Sequence, residues 1–503
     1  MTSTSEGHNV SAHGTLGALS LAYGSRHLNH ALPSGVRALM RAGLDNPRFL
    51  TCVKSYSEFD QVKIIDALAT NLHEVSHYHQ LLGSIAGLVC VETSYRISGI
   101  KSNLLTNNLD TSFPIFYNSK KRSILKGMLQ DSQAELSYLA KGTVCFSCSP
   151  DFMPAVQVNL SSFQSEKFPH LDFLATKDFH LIFPRVIWGD DGKFNWLGFV
   201  PFMESFSFEV ENSFREYVYE IMELDKKERN VGWEYKFLKD LLPNAKFPNL
   251  LKEIDLPHMV KCLSWSSMNC TSADGRNNPH LAIPGLKFDR SLKAINELDS
   301  FSLESLDSSL AGEHKYLLFS ECSNTLKTNA NKKIAGRSAN PSLHELAMLG
   351  YYKNQIDFLN FFESGTDLAA SMCSSKYLEI WGLLPKPPFT YVFTDTTPPK
   401  KIVMFNEHAG GVSFLCKLYD DIVDQALYSS CIECPLKKEK LSCPYKDEKC
   451  GSVSSLDSFS AERSCSFEYF IDDIKKGGSD MELLRHLSFI EELDHYSTKL
   501  DRS

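Results

Sequence analysis

Asn71-Leu72-His73-Glu74-Val75-Ser76-His77-Tyr78-His79-Gln80 is the stretch on which the reading of this chain turns. It contains an H-E-x-x-H pattern. In a helix, residues four apart share a face, so His73 and His77 can direct two imidazoles at one metal ion. Glu74 lies beside that face, placed to polarise a water at the metal. Zinc suits such a pair, because it binds neutral imidazole nitrogens held in fixed directions. The surrounding residues predict the helix itself. From Asp60 onward Val62, Ile64, Ile65, Leu68, Leu72, Val75, Leu81 and Leu82 recur at near-helical spacing. Asp60 is the expected N-cap, and the helix should loosen or end near Gly83 or Gly87. The apolar flanks argue for a helix buried on several sides, against a surface helix with two solvated histidines.

A catalytic zinc needs a third protein ligand and an open position. His79 follows His77 by two residues and points to another face. The segment Gly198-Phe199-Val200-Pro201-Phe202-Met203-Glu204-Ser205-Phe206-Ser207-Phe208-Glu209-Val210-Glu211 offers more. It reads as an apolar helix start with embedded carboxylates, and an acid on a buried face is costly unless paired or metal-bound. Glu204 is the expected ligand, and Glu211, seven residues on and on the same face, its supporting partner or substitute. Glu209 falls on a different face and should be solvated or orienting. An arginine partner for Glu204, or Glu135 as third ligand, are the alternatives.

The pattern His73-Glu74-x-x-His77-x-x-Gln80, followed far downstream by Glu204-Ser205 and Glu211, resembles the gluzincin type of metallopeptidase. It is especially similar to a loose group of bacterial proteins with H-E-x-x-H-x-x-Q and a later E-S/N-x-A-like helix. The resemblance covers short motifs between Asp60 and Leu224. It implies His73, His77 and Glu204 as zinc ligands and Glu74 as general base. Two departures stand out: a sizeable insertion separates the two helices, and Phe206-Ser207 replaces the small residue often found after the glutamate. Tyr217, Tyr219 and His180 are nearby candidates for stabilising an oxyanion, none of them specific.

A second metal signal lies apart from the first. Cys431-x2-Cys434-x8-Cys443-x6-Cys450 places four thiols in one short stretch, with Pro435 and Pro444 following two of them. Four thiolates around a tetrahedral ion would fix a loop that has little apolar core of its own, so a structural zinc site is expected. An iron–sulfur cluster and unligated thiols are the alternatives. The lysines nearby are interleaved with acids, which makes a solvated mixed-charge face. Cys145-x2-Cys148, on an expected strand, reads as core. Phe405 to Gly411 reads as a plain strand–loop–helix turn.

Bulk properties narrow the classes. The chain has 503 residues, 43% hydrophobic and 22% charged, an ordinary globular composition. A net charge of -9 gives no reason to expect a nucleic-acid partner. The N-terminus lacks a basic n-region, and the apolar run Leu81 to Val91 is too short to span a bilayer. With fourteen cysteines and no export signal, reduced thiols in a cytoplasmic protein are expected. No membrane association is expected, and oligomeric state is left open.

The expected fold class is α+β and predominantly helical. A zincin-like core should carry the motif helix and a small sheet, followed by a helical C-terminal region with the four-cysteine module. The expected divisions are 1–50, a tail and short helix over Ser34 to Leu44; 51–250, the catalytic core; 251–430, mostly helical; and 431–503, the cysteine module and a terminal helix over Met481 to Leu500. Helices are expected over Ser119 to Ala140, Phe199 to Leu224 and Val412 to Tyr428, and loops near Cys270 to Gly285 and Ser323 to Pro341. Expected strands are Val144 to Cys148, Ala155 to Leu160, a hairpin of His180–Trp188 with Lys193–Leu197, Phe389 to Asp395 and Ile402 to Phe405. By analogy, the hairpin lies beside the motif helix and pairs with an extended substrate.

The function these residues imply is a zinc-dependent hydrolase. A metallopeptidase acting on a peptide or protein is the leading form, and hydrolysis of another substrate a variant. The competing class is a non-catalytic zinc-binding interaction or regulatory protein that keeps a zincin-like fold.

Overall fold

The computed structural model describes residues 17–19, 26–31, 47–119, 123–141, 185–187, 194–196, 198–225, 238–239, 242, 255–270, 284–298, 300–314, 316–339, 341–393, 401–405 and 410–434. Strands β1 (Gly17–Leu19) and β2 (Arg26–Ala31) come first. Helices α1 (Pro47–Lys54), α2 (Glu58–Gly83), α3 (Ile85–Thr106), the single turn α4 (Ile115–Asn118) and α5 (Ser123–Lys141) follow. A hairpin of β3 (Arg185–Ile187) and β4 (Phe194–Trp196) precedes α6 (Phe199–Met222). Then come α7 (Leu256–Met268), α8 (Pro284–Glu297), α9 (Leu303–His314), α10 (Phe319–Ala335), α11 (Leu343–Asn360), α12 (Gly365–Cys373) and α13 (Lys376–Ile380). The last described elements are β5 (Phe389–Phe393), β6 (Lys401–Phe405) and α14 (Gly410–Tyr428). The protein is predominantly helical, and no helix among the described residues is long and apolar enough to cross a membrane.

The motif helix α2 is the centre of the packing. Every residue from Ala67 to Gly83 is buried, so this stretch has no solvent face. α6 lies along one side, α11 along another, and α3 doubles back after it. Ser57 caps α2, accepting the Asp60 backbone N–H, while its own hydroxyl donates to the Asp60 carboxylate at 2.7 Å. The expected cap, Asp60, therefore sits inside the first turn, where its charge favours the helix N-terminus.

The buried C-terminal end of α2 would leave carbonyls without partners. Three side chains supply them: Ser84 donates to Gln80 O (2.7 Å), Tyr351 to Leu81 O (2.8 Å) and Gln355 to Leu82 O (2.9 Å). The helix stops at Gly83, and Ser84 caps α3 by accepting the Gly87 N–H at 3.0 Å. A Cβ on Gly87 would lie 2.6 Å from the Leu81 backbone, so only glycine lets the two helices meet this closely.

A four-stranded sheet of order β1-β2-β5-β6 is antiparallel except for the parallel β2–β5 pair. Its β1 and β2 pack on α2. This corrects the sequence expectation in two respects. Residues 17–31, where no strand is expected, supply two strands, and the sheet on the motif helix comes from the two ends of the described chain. The expected hairpin does form as β3–β4, but as a sheet of its own.

Residues 323–335, read as loop, belong to α10, which buries Cys322, Leu326 and Ala330 at four-residue spacing. One hydrophobic cluster runs from Val53 to Ile432, with helices from both sides of residue 250 in it. The expected helices over 34–44 and 481–500, and the strands over 144–148 and 155–160, lie outside the described residues.

Candidate metal centre

α2 and α6 run antiparallel, and the polar side chains of both meet along one seam. Asp66, His73, Ser76 and Gln80 on α2 face Arg215, Glu211, Ser207 and Met203 on α6 in reverse order. At the middle of this seam Glu204 Oε2 lies 3.1 Å from His73 Nε2 and 3.3 Å from His77 Nε2. The three residues form one group whose ligand atoms all fall within 4.8 Å. Donors about 2.0–2.1 Å from a tetrahedral zinc stand roughly 3.3–3.4 Å apart, and the separations of 3.1 and 3.3 Å lie close to that edge. The expected long-range contact between Glu204 and the motif histidines is present.

The second nitrogen of each histidine is held from behind. His73 Nδ1 is 3.1 Å from Glu211 Oε2. Glu211 receives Arg215 Nε at 3.1 Å and Nη2 at 2.7 Å, and Arg215 Nη1 also donates to Asp66. An arginine is the alternative expected partner for Glu204; the arginine at this seam, Arg215, serves Glu211 instead. A carboxylate facing Nδ1 holds a proton there, so Nε2 is the nitrogen that would give its lone pair to an ion.

His77 Nδ1 is 2.9 Å from Ser207 Oγ, which also contacts Ser76 Oγ at 2.5 Å and Gln80 Nε2 at 3.0 Å. Ser76 donates to Ser207 and also to His73 O at 2.8 Å. His77 Nδ1 thus faces Ser207 and its Nε2 faces the centre, where His73 Nε2 and Glu204 Oε2 also converge. An ion there would take both Nε2 lone pairs, with His77 Nδ1 donating to Ser207.

The electrostatics give the same demand for a cation. Burial disfavours charge on His73, but Glu204 and Glu211 outweigh it and raise its pKa to about 10. Burial dominates at His77 and lowers it. Burial also opposes ionisation of Glu204, yet His77 and His73 hold its carboxyl well below the ordinary range. Without an ion, His73 holds the proton that balances Glu204. A divalent ion accepted by the same atoms would displace that proton.

Glu74 is buried on α2, about 60° around the helix from His77. Glu204 is the part-exposed member of the centre, so the approach to it lies on the α6 side. Glu209, expected to be solvated or orienting, is buried with its carboxylate 3.6 Å from Lys239, and burial raises its pKa. Tyr217 is exposed and Tyr219 buried, while His180 lies outside the described residues, as do Cys145 and Cys148. Nothing is described of the Glu135 side chain.

His79 is fully occupied elsewhere. Its Nε2 donates to Pro385 O at 2.9 Å, so its Nδ1 accepts from Tyr377 OH at 2.7 Å, and the ring stacks on Phe358. Of the cysteine cluster, Cys431 and Cys434 are free and half-buried after α14, and Cys443 and Cys450 lie outside the described residues.

A second group, His344, Cys416 and Asp420, brings its ligand atoms within the same 4.8 Å. Its His344 Nε2–Asp420 Oδ1 separation of 2.8 Å is a hydrogen bond, shorter than the edge around a zinc ion. Sequence reading missed Ser76, Ser207, Asp66 and Arg215. Only Arg215 carried a signal, its four-residue spacing from Glu211. Compared with known family models, curated proteins and solved structures, the chain matches none.

Proposed function

We propose that this chain is a zinc-dependent hydrolase, with peptide bonds as the leading substrate class and Glu74 as general base. The observation that carries the reading is the convergence of His73 Nε2, His77 Nε2 and Glu204 Oε2, each imidazole fixed from behind by its own partner. Support for a zincin-like core comes from α2, which carries the motif with sheet strands β1 and β2 packed on it, and from α6, which supplies the downstream glutamate.

A zinc ion held by these residues supplies Lewis acidity toward a water and a carbonyl oxygen. The protein's own groups do the rest. With the ion bound, Glu211 and Ser207 would hold both imidazoles in the Nδ1–H form, leaving both Nε2 atoms to it. Glu74 accepts a proton from the attacking water and returns it to the departing amine. The acid beside the two histidines is what a purely structural site does not require.

A second reading, a non-catalytic zinc-binding protein with the same centre, draws on the burial of His73, Glu74 and His77, which narrows the approach. The cysteine cluster is read separately, as a structural zinc site of Cys431, Cys434, Cys443 and Cys450.

Metal content and cleavage of a broad peptide library test these readings together. Wild type should carry two zinc ions, one lost in Glu204→Ala and a different one in Cys434→Ser. Glu74→Gln should keep zinc and lose cleavage by a factor of about 100 or more. An unmetallated His73/His77 centre would end the enzyme reading. Full activity in Glu74→Gln would hand the case to the non-catalytic one.

A further inference from the structure

Where α11 packs on α14, the two helices bring together a set of donor atoms that the metal centre does not use. Cys416 and Asp420 stand four residues apart on α14 and so share one face. His344 comes to that face from the first turn of α11, its Nε2 2.8 Å from Asp420 Oδ1. That turn is fixed by a capping box: Ser342 Oγ accepts the Glu345 N–H at 3.2 Å, and the Glu345 carboxylate accepts the Ser342 N–H at 2.7 Å. The His344 ring also meets the Tyr419 ring edge to face, and the Tyr419 hydroxyl lies 3.0 Å from that of Ser102 on α3. One ring nitrogen of His344, Cys416 Sγ and a carboxylate oxygen of Asp420 all fall within 4.8 Å of one another. Cys416 is in no disulfide, so its sulfur is available as a donor.

We propose that His344, Cys416 and Asp420 form a further zinc site, weaker than the two proposed above and filled reversibly as free zinc rises. One imidazole, one thiolate and one carboxylate make a zinc-type donor set, whereas magnesium and calcium take oxygen donors. The thiolate and the carboxylate together balance a divalent charge, which lets the loaded site stay neutral although Cys416 is fully buried. The His344 and Asp420 side chains are 15% and 10% exposed, so an ion reaches the group from their side, with the sulfur beneath.

Reversibility follows from the same distances. Around a tetrahedral zinc the nitrogen–oxygen edge is about 3.3 Å and the edges to sulfur about 3.6 Å. The His344–Asp420 hydrogen bond has to open by about 0.5 Å, and the sulfur to close in by up to about 1.2 Å. Small side-chain rotations on two rigid helices achieve both, at a cost that subtracts from affinity. The Cys416 thiol gives its proton to solvent on binding, and water takes the fourth position.

α11 also carries Tyr351 and Gln355, which donate to the last carbonyls of the motif helix. An ion at the first turn of α11 would tie that helix to α14 and steady those two caps. The site stands whether or not the His73–His77–Glu204 centre holds zinc, because it shares no residue with it.

The test is cobalt(II) titration of the full-length protein with its retained zinc left in place. One further equivalent should bind, with a thiolate-to-cobalt charge-transfer absorption that excess zinc abolishes. His344→Gln, a change near the surface, should weaken cobalt binding by about tenfold or more, and Cys416→Ala should remove the absorption. Glu204→Ala and Cys434→Ser should both keep it, which separates this site from the other two; the His73–His77–Glu204 centre has no sulfur to give such a band. The proposal is overturned if wild type shows no thiolate band at millimolar cobalt, or if the band persists undiminished in Cys416→Ala. Should Cys416→Ala fail to fold, His344→Gln decides, and undiminished binding there overturns the proposal equally.

Discussion

Replacing Arg215 by methionine removes one side chain and leaves another charge stranded. Arg215 gives two hydrogen bonds to Glu211 Oε1, one to the Asp66 carboxylate and a longer one to the Asp66 backbone carbonyl. Asp66 is about a third exposed and can turn to water, whereas the Glu211 side chain is only 6% exposed and cannot. The loss is that of breaking a buried ion pair from one side, about 3–5 kcal/mol. Glu211→Gln alone leaves Arg215 buried with Asp66 as its remaining anionic partner, and should cost about 2–3 kcal/mol. The double variant has no unpaired buried charge, since Asp66 can turn to water, and the new amide oxygen can still accept from His73 Nδ1–H. It should lie within about 1–2 kcal/mol of wild type, giving a coupling of several kcal/mol in the double-mutant cycle. Urea unfolding in the presence of a chelator measures it, followed by Trp265, whose ring lies 5.9 Å from Phe206 on the ligand helix. If Arg215→Met costs less than about 1 kcal/mol, or if the double variant is as unstable as the sum of the singles, the buried relay does not hold the seam.

Other expectations follow from the same geometry. Zinc uptake at pH 7.5 should release about one proton from His73, because its pKa of about 10 keeps it protonated in the metal-free protein. Calorimetry in two buffers of different ionisation enthalpy reads this, and uptake without proton release would contradict the arrangement. Ser207→Ala removes the acceptor that fixes the His77 tautomer and should weaken zinc binding about 10–100-fold with the fold intact, measured by competition with a chromophoric chelator. Gly87→Ala forces a Cβ into the Leu81 backbone and should destabilise by about 2 kcal/mol or more, read as a lowered thermal midpoint. For His344, burial lowers the pKa but Asp420 raises it further, to a net value above its unfolded one. The pair's contribution is full below about pH 6.5 and fades as pH rises through the folded value. The deficit of His344→Gln against wild type should therefore be larger at pH 6 than at pH 9, and a deficit independent of pH would exclude that linkage.

The parts of the centre that could be read from sequence are those with a period. His73, His77, Glu204 and Glu211 declare themselves by helical spacing on apolar segments where an acid is out of place. The serines that complete it do not. Ser76 and Ser207 are small, common and unremarkable in a chain, and their role comes from meeting 131 positions apart. Burial of Glu209 escaped for a related reason: α6 is covered on nearly all sides up to Glu211, so no face was left for solvent. The sheet beside α2 was misplaced because β2 and β5 are paired across most of the chain, a distance that local alternation cannot report. Residues 323–335 of α10 are expected as loop, although the four-residue spacing of Cys322, Leu326 and Ala330 is present.

The separation of the two seam helices also bears on how the protein folds. His73 and Glu204 close a loop of 131 positions, which costs about 1 kcal/mol more chain entropy than a 30-residue loop would. That closure must precede any of the short contacts around Ser207, so the seam is a late, non-local event with no partial reward. An ion recognised only after closure would act as a clasp on the finished chain: it leaves the unfolded ensemble untouched and stabilises the native state by an amount that grows with the logarithm of its free concentration. Metal supply would then set the lifetime of the folded molecule as well as its chemistry.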